Sequence, residues 1–432
     1  MTRTIAATTK WNLCTGCGIC AGLCPKQCIH WEKDRGFYQP VIQNDLCVAC
    51  GVCAEVCPGL GHRYDRLSDE EAVRGTALFC RNAWNRDPEV RHVSASGGVV
   101  SAMVKVLLRD NVYDRAFLVD SYDYRSQLKS VEVSAAGMEH VADSRYPKSR
   151  YLPVSQENAI SFMRKNREKR VILVGVSCAV RGLENAIEKL HLDRKNYLFL
   201  GLFCDRVFNY NVISYFQQPK FCGEKELREL HFKNKDSGGW PGNIKLFFTD
   251  GSCAYVDQCE RVKIKDYFMP ERCLYCIDKL DIRADISIGD NYTGRDASRY
   301  GSNSVIIRTG NGAAAWSLME KFLDVREVSI EEIMEAQYID WRLNNLCYGE
   351  LKEAQIERDD GTKLKLNGQV ITDREAREYK SRWMNSLQML RAGEIYDVDK
   401  GDLQRQMKKN EGRRQRERLK GFLLRPVSLF RH

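Results

Sequence analysis

From about residue 75 to 350, short apolar runs alternate with amphipathic segments, a pattern that predicts an α/β domain. The clearest run is Val171-Ile172-Leu173-Val174-Gly175-Val176, whose length and β-branching predict a buried strand. A helical period follows over Val180–Leu190, then a second apolar run from Tyr197 to Phe203. Strand, helix and strand at this spacing predict a right-handed crossover between parallel strands. Ala116–Asp120 and Ala284–Ile288 predict further strands, and Gly97–Asp110 a helix. Leu227–Val256 reads as antiparallel strands turned at Asp250-Gly251. Farther on, Leu366-Asn367-Gly368-Gln369 is a hairpin signal. Thr372-Asp373-Arg374-Glu375 fits a capping box opening a helix with Trp383, Leu387 and Leu390 on one face.

The first 66 residues follow another rule, set by cysteine. Cys14-x-x-Cys17-x-x-Cys20-x-x-x-Cys24-Pro25 is followed by Cys47-x-x-Cys50-x-x-Cys53-x-x-x-Cys57-Pro58. Three thiolates spaced by three residues let one tight loop hold three corners of an iron–sulfur cube. The Cys before Pro then ligates the other cluster, as in two-cluster bacterial ferredoxins. The expected sets are Cys14, Cys17, Cys20 and Cys57 for one 4Fe-4S cluster, and Cys47, Cys50, Cys53 and Cys24 for the second. Zinc knuckles would instead show two separated Cys pairs. Gly16, Gly18, Gly22 and Gly51 suit loops whose backbone approaches sulfur closely. Cys28, four residues past Cys24, is ambiguous, with a structural role favoured.

The domain plan is a ferredoxin-like α+β module over 1–66, expected to fold separately, and an α/β body with a mixed, partly parallel sheet over 75–350. A hairpin and helix over 351–400 and a basic helical extension over 401–432 complete it. With 43% hydrophobic residues the body can bury a sizeable core. The N-terminal stretch has no apolar signal-peptide core, and no run approaches the roughly 18 apolar residues of a membrane span. A reducing, cytoplasmic setting is therefore expected, since clusters need thiolates rather than disulfides.

Net charge changes the picture only at one end. Eleven Lys or Arg against three acids after residue 399 account for +8 of the chain's +9. The body is nearly neutral, which argues against a nucleic-acid partner. The tail's basic run (Lys408, Lys409, Arg413, Arg414, Arg416, Arg418, Lys420) precedes an apolar cluster, Phe422 to Phe430. That order suits peripheral contact with an anionic membrane surface. A solvated helix docked on the body and a docking site for an acidic ferredoxin are the alternatives.

Cys178 and Cys204 follow the two clearest strands, so parallel pairing would put both thiols at one carboxyl edge, where ligands gather in open α/β sheets. Cys273-Leu274-Tyr275-Cys276 adds a two-thiolate clip. Together they make four ligands, enough for a third 4Fe-4S cluster; buried small hydrophobes plus a redox or zinc pair are the plainer reading. Cys80, Cys222, Cys253, Cys259 and Cys347 have no partner at ligand spacing and read as packing residues. Ser94-Ala95-Ser96-Gly97-Gly98 opens a helix, where phosphate meets exposed N–H groups. Lys148-Ser149-Arg150-Tyr151 offers two cations and an aromatic to hold a pyrophosphate and cover a ring. Gly289-Asp290 ends a strand just after the clip.

Six of these motifs lie in the order seen in the beta subunit family of coenzyme F-420 hydrogenases and dehydrogenases, which the chain resembles over about residues 1–310. They are Ser94–Gly98, Lys148–Tyr151, Gly175–Cys178, Leu202–Cys204, Cys273–Asp278 and Ala284–Asp290. The resemblance implies an FAD-containing iron–sulfur flavoprotein served by a ferredoxin or a partner oxidoreductase subunit. It implies that Ser96, Gly97, Gly98, Lys148, Ser149, Arg150, Tyr151, Gly289 and Asp290 bind the flavin. FAD would turn single electrons from the clusters into a hydride for a two-electron substrate. The family includes deazaflavin oxidoreductases, ferredoxin-dependent reductases of chlorophyll intermediates, and bacterial members encoded near polysaccharide-assembly genes. An oxidoreductase of coenzyme F-420 itself and a non-catalytic electron-transfer subunit stay open. Ser177, Ala179, Asp205 and Arg206 depart from the family's usual Pro, Gln and His-Gly, next to the expected substrate face.

Overall fold

The computed structural model describes residues 4–10, 12–60, 69–119, 126–137, 146, 148–340, 342, 365–366, 369–370, 373–394, 403–405, 407–412 and 415–416. Asn367-Gly368, Thr372, Cys347 and most of the basic and apolar run after Lys409 lie outside them, as do the expected boundaries at 66, 350 and 400.

The N-terminal module holds a small antiparallel sheet of β1 (Ile29–Asp34) and β2 (Phe37–Ile42), with short helices Ile19–Leu23 and Val52–Glu55 inside the two cysteine runs. The body is built on a mixed sheet of nine strands. In chain order these are β3 (Phe79–Asn85), β4 (Arg115–Val119), β5 (Leu128–Val133), β6 (Val154–Ser155), β7 (Val171–Val176) and β8 (Tyr197–Leu202). A separate three-stranded sheet interrupts, formed by β9 (Leu227–Asn234), β10 (Asn243–Phe248) and β11 (Cys253–Val256). The large sheet resumes with β12 (Ile286–Asp290), β13 (Asn303–Ile307) and β14 (Leu323–Glu327). Its spatial order is β14-β3-β13-β12-β8-β7-β4-β5-β6.

The four central strands β4, β7, β8 and β12 are parallel, and β13, β3 and β14 continue antiparallel on one side. Side chains alternate across the sheet, as a two-residue period requires. Ile172, Leu198, Leu200, Ile286 and Ile288 pack under helix Val99–Arg109 through Met103 and Leu107. Val171, Leu173, Tyr197 and Phe199 face the opposite way, toward Val180, Leu183 and Ile187 of helix Ser177–Lys189.

That second face corrects one expectation. The module does not stand apart from the body, because Cys17, Ile19, Leu23 and Val56 share a core with Phe117, Ile160, Leu173 and Leu183. Ile19 and Ile160 are both fully buried, and each such side chain contributes about 1.5–3 kcal/mol. The glycines explain how the two approach so closely. A Cβ on Gly22 would sit 2.9 Å from Ile160 Cβ, and one on Gly182 2.7 Å from Ile19 Cγ1. Gly22 therefore serves docking rather than approach to sulfur.

Helix Asp373–Glu394 also rests on the body, with Leu390 packed against Met269, Leu274 and Tyr275 beside the cysteine clip. The predicted hairpin appears as paired Lys365–Leu366 and Gln369–Val370. No helix of the described residues is long and apolar enough to cross a membrane.

Candidate metal centres and cofactor cavity

The sheet topology determines what meets at its carboxyl edge. β7 ends at Val176, two residues before Cys178, and β8 ends at Leu202, two before Cys204. The parallel β12 brings Gly289 and Asp290 to the same edge, and antiparallel β13 starts there at Asn303. Pro270 and the single turn Glu271–Tyr275 place Cys273 and Cys276 opposite. Cys178, Cys204, Cys273 and Cys276 line one cavity of about 420 Å³, and each of the first two interacts electrostatically with the remaining three. Burial pushes Cys178, Cys204 and Cys273 above the ordinary thiol pKa, and the neighbouring thiols add to it. Four thiols facing one another in a partly enclosed site ionise together only when a cation joins them.

The two runs of the N-terminal module interleave as two-cluster ferredoxin spacing requires. Cys20 interacts with Cys17, Cys14 and Cys57, and burial raises Cys14, Cys20 and Cys17, the last to about 11. Cys24, Cys47, Cys50 and Cys53 line a second cavity, and Cys28 is with them. Gly18 and Gly51 take left-handed backbone to start the short helices inside these runs. Among the described residues no group of His, Cys, Asp or Glu closes tightly enough for a single ion. The second quartet and the body quartet each line open space instead, room that a multi-iron cluster needs and a mononuclear zinc does not.

The three thiol sets are arranged in series. Cys17 of the first set lines the body cavity and interacts with Cys178. Cys50 of the second set is exposed. Positive charge surrounds the body thiols: Arg272 and Arg206 act on Cys273, and Arg342 on Cys204. Arg342 donates to the Cys276 carbonyl at 2.7 Å and to Asp205 Oδ1 at 2.9 Å. Arg206 donates to Asp205 at 2.9 Å and to Asp266 at 2.5 Å. Burial alone would raise Asp205, but Arg206 and Arg342 hold it well below the usual carboxylate range. The Asp205-Arg206 pair thus anchors an ion network on the rim of the thiol site.

The same cavity is lined by Ser94, Ser96, Gly98, Lys148, Ser149, Arg150, Tyr151, Gly289 and Asp290, so nearly every residue assigned to flavin meets the body cysteines. Their individual roles differ. Ser96 Oγ donates to the Ser302 carbonyl at 2.8 Å, and left-handed Gly98 begins helix Val99–Arg109. Gly97 turns away: a Cβ there would lie 2.7 Å from Asn303 Oδ1 and 2.8 Å from the Ala83 carbonyl, so packing alone explains this glycine. Gly289 likewise leaves room for the ring of Phe203. Tyr151 stacks on Phe208 at 5.7 Å and meets Phe232 edge-on at 5.4 Å, which fixes its ring in an aromatic cluster.

Sequence reasoning missed three lysines. Lys233, on β9, pairs with Asp290 in the cavity; burial alone would lower its pKa, but Asp290 raises it, and Asp290 is lowered in return. Lys235 donates to the carbonyls of Arg91, Ser96 and Tyr300 at 2.6–2.7 Å and so ties down the Ser94–Gly98 loop. Lys279 faces the thiol site and is pulled down to about 8 by burial, against the attraction of Asp205. No short motif marks Lys233 or Lys235, because β9 belongs to the other sheet and reaches the site only through the fold, whereas Lys279 directly follows the Cys273–Asp278 motif.

Among the remaining cysteines, Cys80 and Cys222 are buried as expected, whereas Cys253 and Cys259 are exposed and packing does not account for them.

An open α/β sheet with cysteines and basic residues at its carboxyl edge, joined to a dicluster module, defines an iron–sulfur protein of the oxidoreductase class. Family models make the assignment specific. Residues 80–160 match the N-terminal part of the coenzyme F-420 hydrogenase/dehydrogenase beta subunit, residues 168–336 its C-terminal part, and residues 13–59 a 4Fe-4S dicluster domain. The chain belongs to this beta subunit family. A curated relative, an uncharacterized protein of Nostoc sp. (strain PCC 7120 / SAG 25.82 / UTEX 2576), is 24% identical over 242 residues, covering 54% of this chain. The chain spans about 55% of that relative's length. A chain in the F-420-reducing [NiFe] hydrogenase complex from Methanosarcina barkeri is similar at 19% identity and a TM-score of 0.48, covering 67% of this chain and 96% of its own.

Proposed function

We propose that this chain is an iron–sulfur flavoprotein oxidoreductase that carries single electrons from a ferredoxin-type donor or partner subunit to a two-electron substrate. One observation supports this above the others: Cys17 of the dicluster module and the four body cysteines line the cavity that also holds Ser94–Gly98, Lys148–Tyr151 and Asp290. The proposed ligand sets are Cys14, Cys17, Cys20 and Cys57; Cys24, Cys47, Cys50 and Cys53; and Cys178, Cys204, Cys273 and Cys276. Exposed Cys50 marks the end open to a donor, and the cavity that Cys17 shares with Cys178 the step into the body.

FAD bound beyond the body thiols would supply the conversion between one-electron and hydride chemistry. The residues fit an anionic dinucleotide. Lys148 and Arg150 carry positive charge toward the helix that starts at Gly98, and Lys233 is held in place by Asp290. Leu118, Val174 and Ile288 give the cavity an apolar wall. Because bacterial members of the family are encoded near polysaccharide-assembly genes, polysaccharide-related substrates are the first to test.

Family membership also favours coenzyme F-420 as the substrate, or a role as an electron-transfer subunit within a larger complex. Anaerobic protein with its visible spectrum, iron, sulfide and flavin content tests clusters and FAD together. Adding reduced coenzyme F-420 or a reduced ferredoxin then separates the substrate readings: bleaching by ferredoxin alone supports the first proposal. Protein without flavin, reducible by neither, would overturn it.

A further inference from the structure

The second thiol cavity holds five cysteines for four corners. Cys24, Cys28, Cys47, Cys50 and Cys53 all line it. Cys28 is only 3% exposed, and its sulfur lies 3.4 Å from that of Cys24, with the two bonded through a thiol proton. It also lies close enough to Cys47 to interact with that thiol. Its backbone is fixed, since Gln43 donates to the Cys28 carbonyl at 2.8 Å and β1 starts at the next residue. A sulfur that binds iron does so as a thiolate, so with Cys24 as the ligand the proton shared across the 3.4 Å contact belongs to Cys28. Spacing alone left Cys28 ambiguous, and the fold puts it inside the site.

We infer that Cys28 is a built-in fifth thiol of the outer cluster, donating its S–H to the Cys24 sulfur and replacing Cys24 as ligand when that residue is lost. This rests on the proposed ligand set, in which Cys24 completes the cluster of Cys47, Cys50 and Cys53. In the exchange an Fe–S bond to Cys28 forms where the bond to Cys24 was, and the Cys28 proton leaves to solvent. No electron is transferred. Cys28 reaches the vacant corner with little backbone motion, because it already shares the cavity. A thiol donating to a ligand sulfur also stabilises the added negative charge on reduction, and so raises the cluster's potential.

The test uses the full chain with Cys24→Ala, Cys28→Ala and both, purified anaerobically. Alanine avoids the oxygen ligand that serine would offer. Cys24→Ala should keep the wild-type iron content with an altered paramagnetic resonance signal, and the double variant should lose about four iron atoms, one cubane. Cys28→Ala should keep all its iron, with the potential of one cluster shifted downward. Equal iron loss in Cys24→Ala and the double variant, or a Cys28→Ala protein with wild-type potentials, would overturn the inference. Wild-type protein lacking the iron of the dicluster module would instead overturn the ligand reading beneath it, so the two failures are distinguishable.

Discussion

Gly182 lies inside helix Ser177–Lys189, and replacing it with alanine separates two accounts of the N-terminal module by sign. In a helix that faces open space, glycine to alanine stabilises by about 0.5–1 kcal/mol. Here the added Cβ would meet Ile19 Cγ1 at 2.7 Å and Pro58 Cδ at 3.5 Å. Ile19 is fully buried between the module's own core and the body, so it has nowhere to retreat. Overpacking of this kind costs about 1–3 kcal/mol, which at the middle of both ranges outweighs the helix gain and leaves a net loss of about 1 kcal/mol. Gly182→Val should lose more, adding branched bulk and a poorer helix former. Gly310→Ala is the control, since a Cβ there meets nothing within 4 Å. Anaerobic thermal unfolding followed by cluster absorbance and by circular dichroism reads both signals. The expectation is a lowered midpoint for both Gly182 variants, with the two probes moving together, and a slightly raised one for Gly310→Ala. A midpoint raised by Gly182→Ala, matching the control, would refute the shared core.

Two further outcomes follow from the cavity and the tail. Burial pulls Lys148 down to about 8, helped by Arg150 and Lys245 and opposed by Asp236 and Glu229. A phosphate at Lys148 raises that pKa, so binding takes up a proton above it and flavin affinity falls as pH rises through about 8. Fluorescence titration of flavin release should show this fall, and Lys148→Met should flatten it; an unchanged slope in the variant removes Lys148 from the site. Gly97→Val is a poor test of the same point, because its Cβ would break contact with Asn303 and Ala83. For the tail, liposome co-sedimentation of the full chain against one ending at Gly401 should show salt-sensitive binding by the full chain alone, and equal behaviour of the two excludes the membrane reading.

The parallel centre of the fold was legible because β7 and β8 are buried on both faces, so their sequences are continuous apolar runs rather than half-polar alternations. Strands β3, β13 and β14 were not. Phe79-Cys80-Arg81-Asn82-Ala83-Trp84-Asn85 carries Asn82 into a fully buried position, where it donates toward Thr293 at 3.2 Å and accepts from Ser304 at 3.0 Å. Polar residues satisfied only by the fold hide a strand from hydrophobic patterning. The cysteine sites were legible for a related reason: ligand spacing is local within each run, parallel topology joined Cys178 to Cys204, and the clip supplied the two thiolates that complete a set of four. Lys233, Lys235 and Arg342 were invisible because each reaches the edge from an element that neighbours it only in space. Gly22 was read as serving a sulfur loop, since sequence shows a small residue and not what approaches it.

Iron content, measured on the chain with and without the clip, tests the central claim most directly. Three quartets of cysteine predict about twelve iron atoms per chain, four for each cubane. Changing Cys273 and Cys276 together to serine should lower that to about eight, while the absorbance of the dicluster module remains. About eight iron atoms in both proteins would mean that Cys178, Cys204, Cys273 and Cys276 hold no cluster, and that the proposed electron path ends at Cys17.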